Sequence, residues 1–203
     1  MAAVVALASS LMGAMAQTDS TSTKTGGGLS LEDNFAPGFH EVSVGVGPMF
    51  SPIGSTHNRP KVNYVLGMAQ VGYMLNHPAG PGPLRGNFEV ALEAFGAGIW
   101  EETGHYIAGG TVWGRYNFIP EGWPLVPYAQ FGLGGELLDI DHRYDGHNFN
   151  FNVDAAGGVR FFVNPRFSVN AECRFQHFSN ANTGSRNIGV NALGPILGAS
   201  WFF

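Results

Sequence analysis

The sequence predicts an eight-stranded antiparallel β-barrel of the kind that crosses a membrane. Three observations support this fold class: few charged residues, a long series of segments with alternating apolar and polar residues, and an aromatic run at the end of the chain. Charged residues make up 12% of the 203 positions, about half of the roughly 25% usual in soluble domains. A barrel tolerates this composition because its outer face contacts lipid.

An apolar run and then a polar run precede the first alternating segment. Residues 1–16 are rich in Ala, Val, Leu and Met and end in a small-x-small pattern, which is typical of a signal peptide cleaved after Ala16. Residues 17–38 contain many Gly, Ser and Thr residues and are expected to form a flexible periplasmic lead-in. Since no stretch approaches the ~20 apolar residues of a transmembrane helix, a membrane-spanning form must be a barrel.

The barrel is expected over residues 39–203, in eight alternating segments separated by turn residues. Most segments are long enough for the ~9–11 residues with which a tilted strand crosses a bilayer. The predicted segments are 40–50, 62–75, 86–100, 105–118, 126–138, 148–163, 166–179 and 188–203.

The alternation also predicts which face points outward. Successive strand side chains point to opposite faces, and one face is apolar while the other carries acids, arginines, Asn and Gly. The outer face of a soluble sandwich would be richly charged, so we expect the apolar face to contact lipid. The interior would then hold a network of paired charges that fills the barrel, with a conduction path as the alternative: Glu89, Glu93, Arg115, Asp154, Arg160, Glu172 and Arg174.

The aromatic residues at the end of the sequence indicate where the protein is located, and the charge balance indicates which partners it can bind. The final Trp201–Phe203 run resembles the C-terminal recognition strand of bacterial outer-membrane proteins, which predicts the outer membrane as location. A net charge of −5 without a basic run gives nucleic-acid binding no electrostatic basis. The single Cys173 excludes an internal disulfide and a cysteine-based zinc site. His142 and His147 around Asp145 form only a weak metal motif, so no metal is expected.

The seventh segment ends in an unusual polar pair. Its alternation places His177 and Ser179 on the lipid-facing side, continuing from Phe175, about 6.6 Å apart along the strand. A serine becomes a nucleophile when a histidine removes its proton, and a pair facing lipid suits a lipid substrate. The alternative is a polar pair that merely belongs to the headgroup belt.

Residues 172–181, followed by Asn187 and Gly189, resemble the lipid A 3-O-deacylase family, also called the acyloxyacyl hydrolase or PagL family. Its members are eight-stranded outer-membrane barrels with a His-x-Ser-Asn motif near the end of strand seven. The resemblance implies that Ser179 attacks the ester carbonyl while His177 acts as general base and then as general acid. It implies that Asn187 helps to form the oxyanion hole and that Asn180 has a supporting role.

One position departs from the family pattern. The best-studied members carry a Glu that orients the catalytic His, and Asn191 stands at that position here. Its alternation places it on the outer face, on the strand next to His177. An Asn oxygen can accept the imidazole N–H and fix its tautomer, but it stabilises an imidazolium less well than a carboxylate does.

The resemblance therefore implies hydrolysis of the 3-O-linked acyl chain of lipid A without a cofactor. The expected partners are lipid A or lipopolysaccharide as substrate and the outer membrane, and nucleic acid is not expected to bind. The sequence is compatible with a homodimer as well as with a monomer. Two alternatives stay open as well. One is a non-catalytic barrel with a structural or ligand-binding role, which Asn191 favours, and the other is a phospholipid esterase.

Overall fold

Eight antiparallel strands form a closed barrel in chain order, each hydrogen-bonded to the next and the last to the first. This computed structural model describes residues 30–51, 61–101, 103–119, 122, 124–141, 145–187 and 189–203. The predicted fold class is confirmed. The strands are β1 His40–Met49, β2 Tyr64–Met74, β3 Gly86–Ile99, β4 Gly104–Phe118, β5 Leu125–Ile140, β6 Phe149–Asn164, β7 Phe167–Ser179 and β8 Val190–Phe202.

The barrel has two distinct ends. The loops β1–β2, β3–β4, β5–β6 and β7–β8 lie at one end, which we call the loop end. The start of β1 and the end of β8 lie at the other, which we call the terminal end. The strands agree with the predicted segments within a few residues. No strand end differs by more than two residues. One such difference is that β5 continues to Ile140 rather than ending at 138, because it pairs with β4 up to the contact between Ile140 and Gly104.

The apolar face of the strands points outward, as predicted. Leu92, Leu197 and Val163 are 60% to 65% exposed on the outer wall, while the residue before each of them is buried: Ala91, Ile196 and Phe162. An apolar wall of this kind is stable only against lipid, because it would expose a large continuous apolar surface to water. Among the described residues, no helix is long and apolar enough to span a membrane, a finding that does not bear on β-barrels.

Buried ion pairs fill the interior of the barrel, where the alternative prediction placed a conduction path. Near the terminal end, Arg115 and Arg160 both donate to Glu41 and Glu89, with nitrogen–oxygen distances from 2.5 to 3.5 Å. Halfway along the barrel, Arg174 pairs with Glu93 at 2.9 Å and with Glu172 at 2.8 Å. Burial of such charges is tolerable only when each has a partner and further hydrogen bonds.

Two interior acids do not match the predicted network of paired charges. Glu41 belongs to the network, although the prediction did not include it. Asp154 is inside, as predicted, but forms no ion pair within the described residues; it accepts hydrogen bonds from Thr111 and Asn152 instead. The prediction of a paired charge at Asp154 was therefore wrong, because the guanidinium nitrogens of Arg174 are used by Glu93 and Glu172.

The seam between β1 and β8 is interrupted near the loop end. The two strands pair from Glu41 with Phe202 to Val46 with Leu197 and meet again at Phe50 with Leu193. The same register places Pro48 opposite Pro195. Since proline has no backbone N–H, this pair cannot exchange ladder hydrogen bonds.

A short 3-10 helix, Leu31–Phe35, covers the terminal end of the barrel. Phe35 is fully buried, with its ring centroid 6.0 Å from that of Phe162 and 5.7 Å from that of Phe202. Packed structure therefore begins within the predicted lead-in of residues 17–38. The predicted signal peptide, 1–16, and residues 17–29 of the lead-in lie outside the described residues.

Candidate functional site

Strands β6, β7 and β8 bring the predicted site residues to the outer wall at the loop end. His177 pairs with Asn191 of β8 on one side and with Val153 of β6 on the other. Ser179 pairs with Phe151. His177 and Ser179 are half-buried on the outer wall, whereas the alternating residues Gln176, Phe178 and Asn180 are fully buried.

His177 is held by a hydrogen bond across the two strands. Its Nδ1 lies 2.6 Å from Oδ1 of Asn191. Because an amide oxygen can only accept, Nδ1 carries the proton and donates it, which leaves Nε2 unprotonated in the neutral ring. The neighbouring strand thus selects the tautomer in which Nε2 can remove a proton.

Ser179 lies next to this imidazole without a hydrogen bond to it. Within the described part of the chain, its hydroxyl has no hydrogen-bond partner, and the imidazole of His177 has Asn191 alone. The pairing of β7 with β8 ends at Phe178 and Val190, so Gly189 directly precedes β8 at this end of the site. Gly189 has a φ of 53°, a left-handed conformation that glycine adopts without strain.

Asn180 points away from the outer wall and organises the β7–β8 loop. Its Nδ2 donates to Oδ1 of Asp145 and to the carbonyl of Arg186, both at 2.6 Å. Its Oδ1 accepts the backbone N–H of Asn182 at 2.9 Å, a local bond of the Asx-turn type. This bond holds the turn in which Ala181 and Asn182 have φ values of 53° and 61°.

Asn187 lies further along the same loop and is half-buried. Its Nδ2 donates to Oδ1 of Asn182 at 3.1 Å. An amide nitrogen has two hydrogens, so a second donor remains for a ligand. The Oδ1 of Asn187 is buried without a hydrogen-bond partner among the described residues.

Asp145, in the β5–β6 loop, is a site residue that the sequence analysis did not identify in this role. Besides Asn180, it accepts Nδ2 of Asn150 at 2.8 Å and the backbone N–H of His147 at 3.3 Å. Gly146 N–H donates to the carbonyl of Arg186 at 3.0 Å. These bonds join the two loops. The sequence analysis named Asp145 only as part of the weak metal motif with His142 and His147.

The outer wall beside the polar pair is aromatic and apolar. Phe149 and Phe151 make an edge-to-face contact with centroids 5.2 Å apart, and both are about half exposed. A side chain at Gly135 would come within 2.9 Å of the Phe149 ring, so the absence of a side chain there makes room for the ring beside β5. The polar pair is thus bordered by a surface suited to hydrocarbon chains.

The weak metal motif around Asp145 receives no support from the geometry. His142 lies outside the described residues, and Asp145 is engaged by amide and backbone donors. In the described ranges, no group of three or more His, Cys, Asp or Glu side chains is arranged to hold a metal ion.

Comparison with known proteins identifies a family and a fold. Residues 67–200 match the family model described as lipid A 3-O-deacylase (PagL). The chain matches no curated protein sequence at a significant level.

Several solved structures share the barrel. Neisserial surface protein A is 16% identical, with 81% of this chain and 97% of that chain covered and a TM-score of 0.60. The outer membrane enzyme PagL is also 16% identical, with coverages of 78% and 97% and a TM-score of 0.55. The N-terminal barrel domain of Pseudomonas aeruginosa OprF is 15% identical, with coverages of 82% and 98% and a TM-score of 0.53. At these identities the likeness establishes the fold.

Proposed function

Since this chain belongs to the lipid A 3-O-deacylase (PagL) family, we propose that it is an ester hydrolase that removes the 3-O-linked acyl chain of lipid A. The predicted location in the outer membrane is confirmed by the family and by the barrels of similar structure. The observation that carries the proposal is the bond from His177 Nδ1 to Asn191, which leaves Nε2 free as a base beside Ser179.

In the proposed reaction, Nε2 of His177 removes the proton from the Ser179 hydroxyl as its oxygen attacks the ester carbonyl. The tetrahedral intermediate collapses, the C–O bond to the sugar breaks, and the imidazolium returns the proton to the leaving 3-hydroxyl oxygen. Water then attacks the acyl-serine by the same route, releasing the fatty acid and restoring the serine. Hydrogen bonds of free enzymes are often long and tighten with substrate, and the proposed reaction requires the Ser179 hydroxyl to turn towards Nε2 of His177 when substrate binds.

Asn187 is the proposed donor to the oxyanion, through the hydrogen of Nδ2 that Asn182 does not use. Loss of one such donor typically costs ~10²–10³ in rate. Asn180 contributes indirectly, because it fixes the loop that carries Asn187. It is therefore a positioning residue.

The outward position of the pair explains how such a substrate reaches it. The acyl chains of lipid A lie in the outer leaflet, alongside the wall that Phe149 and Phe151 form. An ester near the headgroup region would meet Ser179 at the loop end without leaving the membrane. This geometry offers no advantage for binding a soluble ester, so it favours a lipid substrate.

The test compares purified wild-type protein in detergent with Ser179→Ala and His177→Ala variants. Lipid A is the substrate, and mass spectrometry measures the released fatty acid and the deacylated lipid. We expect the wild type to release the 3-O-linked acyl chain and both variants to lose almost all activity. Cys173→Ala, an exposed outer-wall change on the same strand, is the matched control. Equal release by wild type and both variants would refute the proposal.

The non-catalytic barrel is the second candidate, because Asn191 replaces the family's acid and Ser179 has no hydrogen bond to His177 within the described chain. Complete absence of fatty-acid release by the wild type would favour this role. Release from phospholipid but not from lipid A would instead favour the phospholipid esterase.

A further inference from the structure

The β5–β6 and β7–β8 loops meet backbone to backbone at the loop end. Gly146 lies in the first loop and Gly184 in the second, and the N–H of Gly146 donates to the carbonyl of Arg186 at 3.0 Å. The side chain of Asn180 donates to the same carbonyl at 2.6 Å. Because Arg186 directly precedes Asn187, this contact fixes the chain next to the proposed oxyanion donor.

The contact leaves no room for a side chain at Gly146. A Cβ atom built there would lie 2.9 Å from the backbone nitrogen of Ser185 and 3.0 Å from the backbone nitrogen of Arg186. Non-bonded carbon atoms in ordinary contact are ~3.5–4.0 Å apart. Both obstacles are backbone atoms, so a larger residue at this position has to push the two loops apart.

Gly184 is confined in the same way from the other side of the contact. A Cβ atom built there would lie 2.5 Å from Cδ2 of His147 and 3.3 Å from the carbonyl carbon of Gly146. Neither Gly146 nor Gly184 has a φ in the left-handed region, so their backbone conformations are open to other residues. What requires glycine at both positions is the close approach of the two backbones.

We propose that Gly146 and Gly184 are positioning residues of the active site, which hold the β7–β8 loop where Asn187 can donate to the oxyanion. The inference rests on the proposed hydrolysis and assigns part of its machinery to the neighbouring β5–β6 loop. The hydrogen bonds of Asn180 tie the loops together, and the two glycines set how closely they lie. A misplacement of about 1 Å can cost ~10²-fold in rate, and a Cβ atom at Gly146 forces a shift of roughly 0.5–1 Å to reach ordinary contact.

Kinetics of fatty-acid release from lipid A test this role. An oxyanion donor acts in the transition state, so its displacement lowers kcat and leaves KM almost unchanged. We expect Gly146→Ala and Gly184→Ala to lower kcat at least roughly tenfold, towards the ~10²–10³ lost when a donor such as Asn187 is removed. Gly98→Ala adds a side chain where nothing lies within 4 Å; this matched control should keep the wild-type kcat.

A double variant identifies the residue through which the glycines act. Substitutions of residues that work as one unit are not additive in their effect on the rate. If the glycine contact acts by placing Asn187, the variant Gly146→Ala/Asn187→Ala should match Asn187→Ala alone within about twofold. Two losses that multiply would show that the contact acts on another group and would overturn the role.

Hydrogen exchange of the Gly146 amide, followed by NMR of the isotope-labelled barrel in detergent, measures the contact without hydrolysis. Its signal is assigned by its absence from Gly146→Ala. The bond to the Arg186 carbonyl should protect this amide in the wild type and in Gly98→Ala, and Gly184→Ala should exchange faster because it opens the contact.

The two measurements separate the possible failures. Fast exchange of Gly146 in the wild type, or an active wild type whose kcat neither Gly146→Ala nor Gly184→Ala lowers, would overturn this inference alone. A protected amide in a wild type that releases no fatty acid would overturn the catalytic role of the glycines together with the proposed hydrolysis.

Discussion

Exchange of Asn191 tests how the orienting residue contributes to catalysis. Asn191→Asp keeps the shape of the side chain and an oxygen at the position that accepts Nδ1–H of His177, 2.6 Å away, but adds a negative charge. Asn191→Ala removes the acceptor altogether. The two variants therefore separate the contribution of the hydrogen bond from that of the charge.

The magnitudes follow from the type of bond. A neutral hydrogen bond contributes about 1 kcal/mol net, and one to a charged group about 2 kcal/mol. A difference of about 1 kcal/mol corresponds to roughly fivefold in rate. We expect Asn191→Ala to be about fivefold slower than the wild type. Asn191→Asp should be about fivefold faster, because a carboxylate stabilises the imidazolium formed in the transition state.

The assay is the initial rate of fatty-acid release from lipid A at saturating substrate, measured by mass spectrometry for the three proteins under one detergent condition. Asn191→Glu, the residue type of the best-studied family members, serves as a second carboxylate. The reasoning would be refuted if Asn191→Ala matched the wild type, or if both carboxylate variants were as slow as Asn191→Ala.

Two further predictions concern the loop end and the interior. Asp145→Asn places an amide against the Nδ2 donors of Asn180 and Asn150, and an unsatisfied buried donor costs about 1–3 kcal/mol. We therefore expect roughly tenfold lower kcat with the barrel still folded. Unchanged kinetics would contradict the positioning role. Arg160→Met leaves Glu41 with one arginine instead of two. It should lower the free energy of unfolding by about 3–5 kcal/mol, measured by urea unfolding of the barrel in lipid vesicles. An unchanged unfolding midpoint would contradict a stabilising role of the buried ion pairs.

The alternation of residues made much of the site predictable. A period of two fixes which residues share a face, so the outward position of His177 and Ser179 followed from the apolar residues before them. Asn191 could be assigned to the same face in the same way. The direction of Asn180 into the loop also follows from that alternation, but its partners do not, since Asp145 is far away in the chain.

The sequence by itself determined the number of strands, the lipid-facing side and the position of the polar pair on it, because each depends on local alternation and on turn residues. Only the tertiary structure decided which residues meet across strands. It joined Asn191 to His177 and held the β7–β8 loop through Asp145. It also gave three arginines to four of the buried acids, while Glu136 and Asp154 pair with no arginine among the described residues. Register and closure bring together residues that are distant in the chain, and no local pattern encodes which of several acids an arginine will reach.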